Sequence, residues 1–243
     1  MTPRYPLGGA LEGRREASMV DPCCPSVRID IWSDVVCPWC YLGNHRLQSA
    51  LDTVGRDDIE IRWRAFQLDP NAPLESGELR SRLESKYGPG SFDSMTKRLT
   101  DLGRAEGLEY RFDKALSPNT RDAHRLVAWA YDAGGAEAQN ALVERLFQGY
   151  FTNGEDFSKA EVLLDAVADV NLDRSAAQQV LDDGSYGEQV AEDQREAQEA
   201  GISGVPAFVI DGHWLIPGAQ ETERFVAMIE KVRASAESPS SHT

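Results

Sequence analysis

Val35-Val36-Cys37-Pro38-Trp39-Cys40-Tyr41-Leu42 sets two thiols three residues apart where one sequence pattern gives way to another. Before it, Val27, Ile29 and Ile31 alternate along a β-branched run that reads as a strand through Ser33. After it, Leu42, Leu47 and Leu51 carry the spacing of an amphipathic helix from Cys37 to about Val54, ended near Gly55. A Cys-x-x-Cys that closes a strand and opens a helix points to redox chemistry. The free N–H groups and the dipole at a helix start favour negative charge, so the first thiol is expected to ionise near neutral pH. Pro38 suits the first helical position, where its missing N–H costs nothing. On this reading Cys37 is the exposed nucleophile and Cys40, one turn further in, the buried resolving thiol. The rival use is zinc, which needs two more ligands. Cys23 and Cys24 could supply them, but adjacent ligands in a Pro- and Gly-containing tail are an unusual arrangement. No metal and no cofactor are therefore expected.

Working outward, Asp58 to Phe66 reads as a second strand, with Ile59, Ile61, Trp63 and Ala65 on one face. Strand, helix, strand over this distance predicts a right-handed βαβ unit with parallel strands. Pro70 and Pro73 then break the chain, and from about Leu79 to Ala200 the period is helical. Thr120 is placed to cap a helix carrying Ala123, Leu126, Val127 and Ala130; Leu142, Val143, Leu146, Phe147 and Tyr150 form the next apolar stripe. Ser158 and Glu161 have capping-box spacing, and Asp173 opens another helix. These stripes read as packing faces. Strand signals return at Pro206–Ile210 and His213–Ile216, with Asp211-Gly212 as a two-residue hairpin turn, before a last helix containing Phe225, Met228, Ile229 and Val232. The prediction is an α/β fold, β-α-β then β-β-α, interrupted by a helical insertion. Residues 26–75 and 201–234 would form one discontinuous domain and 76–200 the insertion. Residues 1–25 are expected to be a disordered extension, with Met19 an alternative start, and 235–243 a flexible tail. Cys23 and Cys24 fall in the extension as incidental thiols, or as a second relay. Disulfide geometry makes a bond between such neighbours rare.

The 243 residues carry 41% hydrophobic and 27% charged side chains, a soluble composition. A formal net charge of −15 argues against nucleic acid as a partner. No run reaches the roughly 18 apolar residues of a membrane span, and Met1–Ser18 lacks the apolar core of a secretory signal. The expectation is a cytoplasmic protein without membrane association, where Cys-x-x-Cys serves catalysis rather than stapling.

Gly204-Val205-Pro206-Ala207 is the second informative stretch. Proline at a strand start needs no ladder donor. The functional reading is a cis Val205–Pro206 bond facing the thiols, with Val205 backbone groups free to pair with an extended substrate.

Cys37-Pro38-Trp39-Cys40 together with Gly204-Val205-Pro206 resembles the thioredoxin fold with a helical insertion, the DsbA-like thioredoxin superfamily. Within it, Ile31-Trp32-Ser33-Asp34-Val35-Val36 leading into the cysteines is similar to the FrnE-type branch. So are Phe66-Gln67-Leu68-Asp69-Pro70, Asn119-Thr120 with Ala123-His124-Arg125-Leu126, and Gly218-Ala219-Gln220. Pro217 departs from the small polar residue such proteins often carry there. The likeness runs from about Val27 to Val232 and implies thiol–disulfide oxidoreductase or isomerase activity on disulfide-containing proteins, with glutathione or a thioredoxin-type reductant as electron partner. Relatives such as the hydroxychromene-carboxylate isomerases and kappa-class transferases are glutathione-dependent and carry Ser where this chain has Cys37. A redox-linked chaperone is a further alternative. Asp30-Ile31-Trp32 is similar to the Asp-Phe-Trp strand of thioredoxins, whose buried Asp moves the proton of the resolving thiol. Asp30 is thus the candidate base, a solvated Asp30 beside Arg28 the rival reading. Pro38, Trp39, Val205, Pro206 and His124 are the candidate substrate contacts, with a packing role the alternative for Trp39 and His124.

Overall fold

The computed structural model describes residues 27–237. The expectations for residues 1–25 and for Cys23 and Cys24 lie outside that span, as does the tail expected over 235–243 except for 235–237, which belong to the last helix. In chain order the elements are β1 (Val27–Ser33), α1 (Pro38–Val54), β2 (Ile59–Ala65), β3 (Gly77–Glu78), α2 (Leu79–Tyr87), α3 (Ser91–Ala105), β4 (Leu116–Ser117), α4 (Arg121–Gln148), α5 (Ala160–Asp169), α6 (Arg174–Asp183), α7 (Gly187–Glu199), β5 (Ala207–Ile210), β6 (Trp214–Pro217) and α8 (Thr222–Glu237). One five-residue π turn, Gly149–Asn153, follows α4.

The main sheet has the order β2-β1-β5-β6. β1 runs parallel to β2, as a βαβ crossover requires, and antiparallel to β5, which forms a hairpin with β6. Successive side chains of β1 point to opposite faces. Val27, Ile29 and Ile31 pack in one apolar cluster with Leu47, Leu51, Phe208, Phe225 and Ile229, so α1 and α8 cover that face. Trp32 packs on the other face with Ala197, Ile202, Ala207 and Val209. There Trp32 Nε1 donates to the Asp193 carbonyl of α7 at 2.8 Å. Both faces are thus buried.

β2 is an edge strand, and edges leave backbone groups unpaired. Gln139 of α4 supplies the partners: its Oε1 accepts from Trp63 N at 2.9 Å and its Nε2 donates to Trp63 O at 3.3 Å. An aromatic cluster ties the helices between β2 and β5 to α1. Tyr41 stacks on Phe151 at 5.5 Å and on Phe147 at 5.4 Å, and meets Tyr110 edge-on at 5.6 Å.

Some local expectations give way. The Ser158–Glu161 capping box does not form: Lys159 occupies the N-cap of α5, and the Ser158 hydroxyl donates to Asp156 at 2.8 Å instead. Asp173 does cap α6, accepting from Ser175 N and Ala176 N. The hairpin turn holds three residues, because Ile210 pairs directly with Trp214 and His213 N bonds back to Ile210 O at 3.0 Å. The two stripes on either side of Gly134-Gly135 lie in one helical span, broken at those glycines; Gly135 takes φ +72°, which a Cβ would strain.

Candidate active site

β1 ends at Ser33, and Asp34–Val36 turn the chain into α1. Cys37 N donates to Asp34 O at 3.0 Å, and Cys37 becomes the N-cap of α1 with an extended backbone (φ −87°, ψ 112°). Its carbonyl accepts from Cys40 N at 3.0 Å, closing the first turn. Pro38 follows at the first helical position, as its fixed φ favours. Both cysteines are free thiols.

The Val205–Pro206 peptide bond is cis. Cys37 Sγ donates to Val205 O at 3.6 Å, so the proline loop lies directly over the first sulfur. Pro206 O is taken by Gly218 N at 2.7 Å. Close approach of α1 to this loop depends on Gly43: a Cβ there would stand 3.1 Å from Pro206 Cγ and 3.2 Å from Phe208 Cζ.

Cys37 is only 3% exposed and Cys40 1%, which corrects the expectation of an exposed first thiol. The Val205 carbonyl lies on one side. On another is Tyr110, from the segment between α3 and β4, whose hydroxyl donates to Pro38 O at 2.7 Å. Burial, with the neighbouring sulfurs and Tyr41 adding to it, holds the Tyr110 phenol protonated far above its usual range. Burial first, then the adjacent Cys37, pushes the Cys40 thiol well up; the Ser33 hydroxyl and the Asp34 backbone oppose that rise. Cys40 is therefore a neutral thiol at neutral pH, as a resolving cysteine should be.

Of the other candidate residues, Pro38 and Trp39 form the half-buried first turn, and the Arg98 guanidinium lies 5.6 Å from the Trp39 ring centroid. His124 of α4 is buried, with Nε2 3.4 Å from Asp34 Oδ1 in a geometry that makes no hydrogen bond. Asp34 itself accepts from Leu68 N at 2.8 Å. So His124 reaches the β1–α1 turn through Asp34. Asp30 is placed elsewhere. It points to the α7 face of the sheet, away from Cys40, where its Oδ1 accepts from Arg64 Nε at 2.9 Å and pairs with Arg28 at 2.6 Å. Arg64 continues to Asp193 Oδ1 at 3.1 Å. Sequence reasoning passed over Ser33, Asp34 and Tyr110. Strand alternation carried the signal for Ser33, whereas Tyr110 arrives from 72 residues away.

A mixed sheet that presents two thiols at a helix start beneath a proline loop defines the thioredoxin-like proteins, and the helices set between β2 and β5 narrow the class to those with a helical insertion. Residues 28–230 match the DSBA-like thioredoxin domain, and the chain belongs to that family. It is similar to a probable DsbA oxidoreductase from Streptomyces coelicolor, with 31% identity, a TM-score of 0.80, and coverage of 89% of this chain and 94% of that one. It is 26% identical over 202 residues to YwbO of Bacillus subtilis (strain 168), an uncharacterized protein, covering 82% of this chain and 94% of that one. A 2-hydroxychromene-2-carboxylate isomerase structure, at 21% identity and a TM-score of 0.61 over 88% of this chain and all (100%) of that one, shares the fold. Among the described residues no helix is long and apolar enough to cross a membrane.

Proposed function

We propose that this protein is a thiol–disulfide oxidoreductase of the FrnE type, exchanging disulfides with protein or small-thiol substrates through Cys37 and Cys40. The observation that carries the reading is Cys37 at the N-cap of α1 with its sulfur 3.6 Å from Val205 O. Val205 offers a backbone carbonyl where an extended substrate would lie, beside the first thiol. Cys37 attacks one sulfur of a substrate disulfide, giving a mixed disulfide and a free substrate thiol. Cys40 then attacks Cys37, forming the Cys37–Cys40 bond and releasing the second substrate thiol. The reverse sequence oxidises a substrate dithiol. Because Cys37 and Cys40 are both buried in the dithiol form, entry of substrate must displace the Cys37–Val205 contact. Glutathione or a thioredoxin-type protein in the cytoplasm would reduce the pair again; the half-buried Trp39 flanks the entering chain, and the buried His124 acts on the turn through Asp34.

Insulin reduction with glutathione as electron source tests this. Cys37→Ser should abolish turnover, and full activity in that variant overturns the reading. Turnover that survives Cys40→Ser with glutathione would instead group the protein with the glutathione-dependent isomerases and transferases. Both thiols being present favours the dithiol route.

A further inference from the structure

β1 closes on a residue that its own packing does not explain. Alternation puts Ser33 on the face of Val27, Ile29 and Ile31, the face that meets α1 and Cys40. Ser33 is 5% exposed, and its hydroxyl is buried with no hydrogen-bond partner. A polar group left unpaired in such a place is costly, and alanine would fill the position without that cost. On that face the Cys40 sulfur is the group with a use for a donor: the Ser33 hydroxyl and the Asp34 backbone favour its thiolate, against burial and the adjacent Cys37.

We propose that Ser33 is a donor held in reserve for Cys40: idle beside the neutral thiol, it turns its O–H onto the sulfur when Cys40 becomes a thiolate. The inference rests on Cys37 as nucleophile and Cys40 as resolving thiol. A hydroxyl hydrogen rotates freely about its C–O bond, so the bond can form without moving a heavy atom. With the next backbone N–H, the end of the strand then presents two adjacent donors to developing negative charge, the arrangement by which oxyanion sites work. In the step itself, Cys40 S–H gives its proton to water, which is the base. The thiolate electron pair attacks Cys37 Sγ, the Cys37–Cys40 bond forms, and the Cys37–substrate S–S bond breaks. The leaving substrate sulfur carries off the electron pair and takes a proton back from water. The protein dithiol is oxidised, the substrate disulfide is reduced, and no further oxidant enters the balance. The other titratable groups around Cys40 are Cys37, the protonated Tyr110 phenol, and Asp34 with His124 of α4. None of these changes on substitution of Ser33.

The test is a stopped-flow reaction of the reduced protein with 5,5′-dithiobis(2-nitrobenzoate) between pH 6 and 10. The first equivalent of aryl thiolate reports attack by Cys37 and the second reports resolution by Cys40. Ser33→Ala should slow the second phase about tenfold at pH 7 and move its midpoint about one unit upward, a one-unit shift being a factor of ten. The first phase should stay within about twofold. Ser33→Thr and Ser33→Val form a second pair, both β-branched and suited to a strand, differing in the hydroxyl alone. Thr should keep the wild-type second phase and Val should lose it. Equal second phases in Thr and Val, or slowing in Ala without a shifted midpoint, overturn the inference while leaving the dithiol reading intact. A wild-type protein that releases only one equivalent defeats the dithiol reading and this inference with it.

Discussion

On one face of β1, Ile29, Ile31 and Ser33 meet Cys40, Leu47 and Phe208; on the other, Asp30 and Trp32 meet Arg64 and Asp193. Both faces are buried along β1, yet they handle charge in opposite ways. The α7 face gathers it: Asp30, Arg28, Arg64, Asp193 and, at 3.8 Å, Glu196 form one network across the joint between sheet and helices. On the α1 face burial, with the adjacent Cys37, keeps the Cys40 thiol neutral. The contrast teaches that a buried acid close in sequence to a thiol is not thereby its base. Parity along the strand decides which side it serves.

The α7 face should break hardest. Arg64→Ala leaves Asp30 and Asp193 buried without their shared cation, and losing one partner of a buried pair costs about 3–5 kcal/mol. Urea unfolding should register that loss. The rate of Cys37 alkylation, measured under native conditions, should stay near wild type, because the network lies behind the sheet. A loss below about 1 kcal/mol, the surface-pair range, would show that water reaches the network and that the two faces differ less than their packing suggests.

The α1 face answers to pH with a definite sign. Burial raises the folded pKa of Cys40 above the value of about 8.5 for a free thiol. The folded state therefore holds this proton more tightly than the unfolded chain does. The stabilisation is complete below the unfolded pKa and is lost as pH climbs through the folded one. Thermal unfolding of the reduced protein from pH 7 to pH 10 should show a falling midpoint, and Cys40→Ala should flatten that fall. An equal decline in the variant would assign the slope to other groups.

The same contrast explains what could be read from the chain alone. The thiols, the parallel β1–α1–β2 unit and the Asp173 cap rest on local patterns: spacing, alternation and a side chain bonding its own backbone neighbours. The facing of Asp30 was also encoded, since Ile29 and Ile31 point toward α1 and Asp30 must point away. Burial on both sides of β1 hid it, because neither face shows the polar alternation that marks a solvent side. The Ser158 cap failed through competition: Asp156, two residues back, takes both the Ser158 N–H and its hydroxyl. The surroundings of the thiol turn depended on Val205, over Cys37, and Tyr110, on Pro38 O, which approach from distant parts of the chain and leave no local trace.

Tyr110 offers the finest test, because it hydrogen-bonds the thiol turn from the segment between α3 and β4. Its hydroxyl holds Pro38 O, and its ring stacks on Phe112 at 5.2 Å and packs against Tyr41 and Phe151. Tyr110→Phe removes the hydrogen bond and keeps the ring. A neutral hydrogen bond contributes about 0.5–1.5 kcal/mol net, so the stability loss should be of that size. The Pro38 carbonyl lies in the first helical turn, whose carbonyls already serve the backbone, so the turn itself should persist. What should change is access: with the anchor gone, Cys37 should alkylate faster than in wild type, by no more than the factor of about ten that 1.4 kcal/mol permits. Slower alkylation would mean that Tyr110 poises Cys37 for attack instead of covering it, and the α1 face would then owe its reactivity to the inserted helices as much as to the strand beneath.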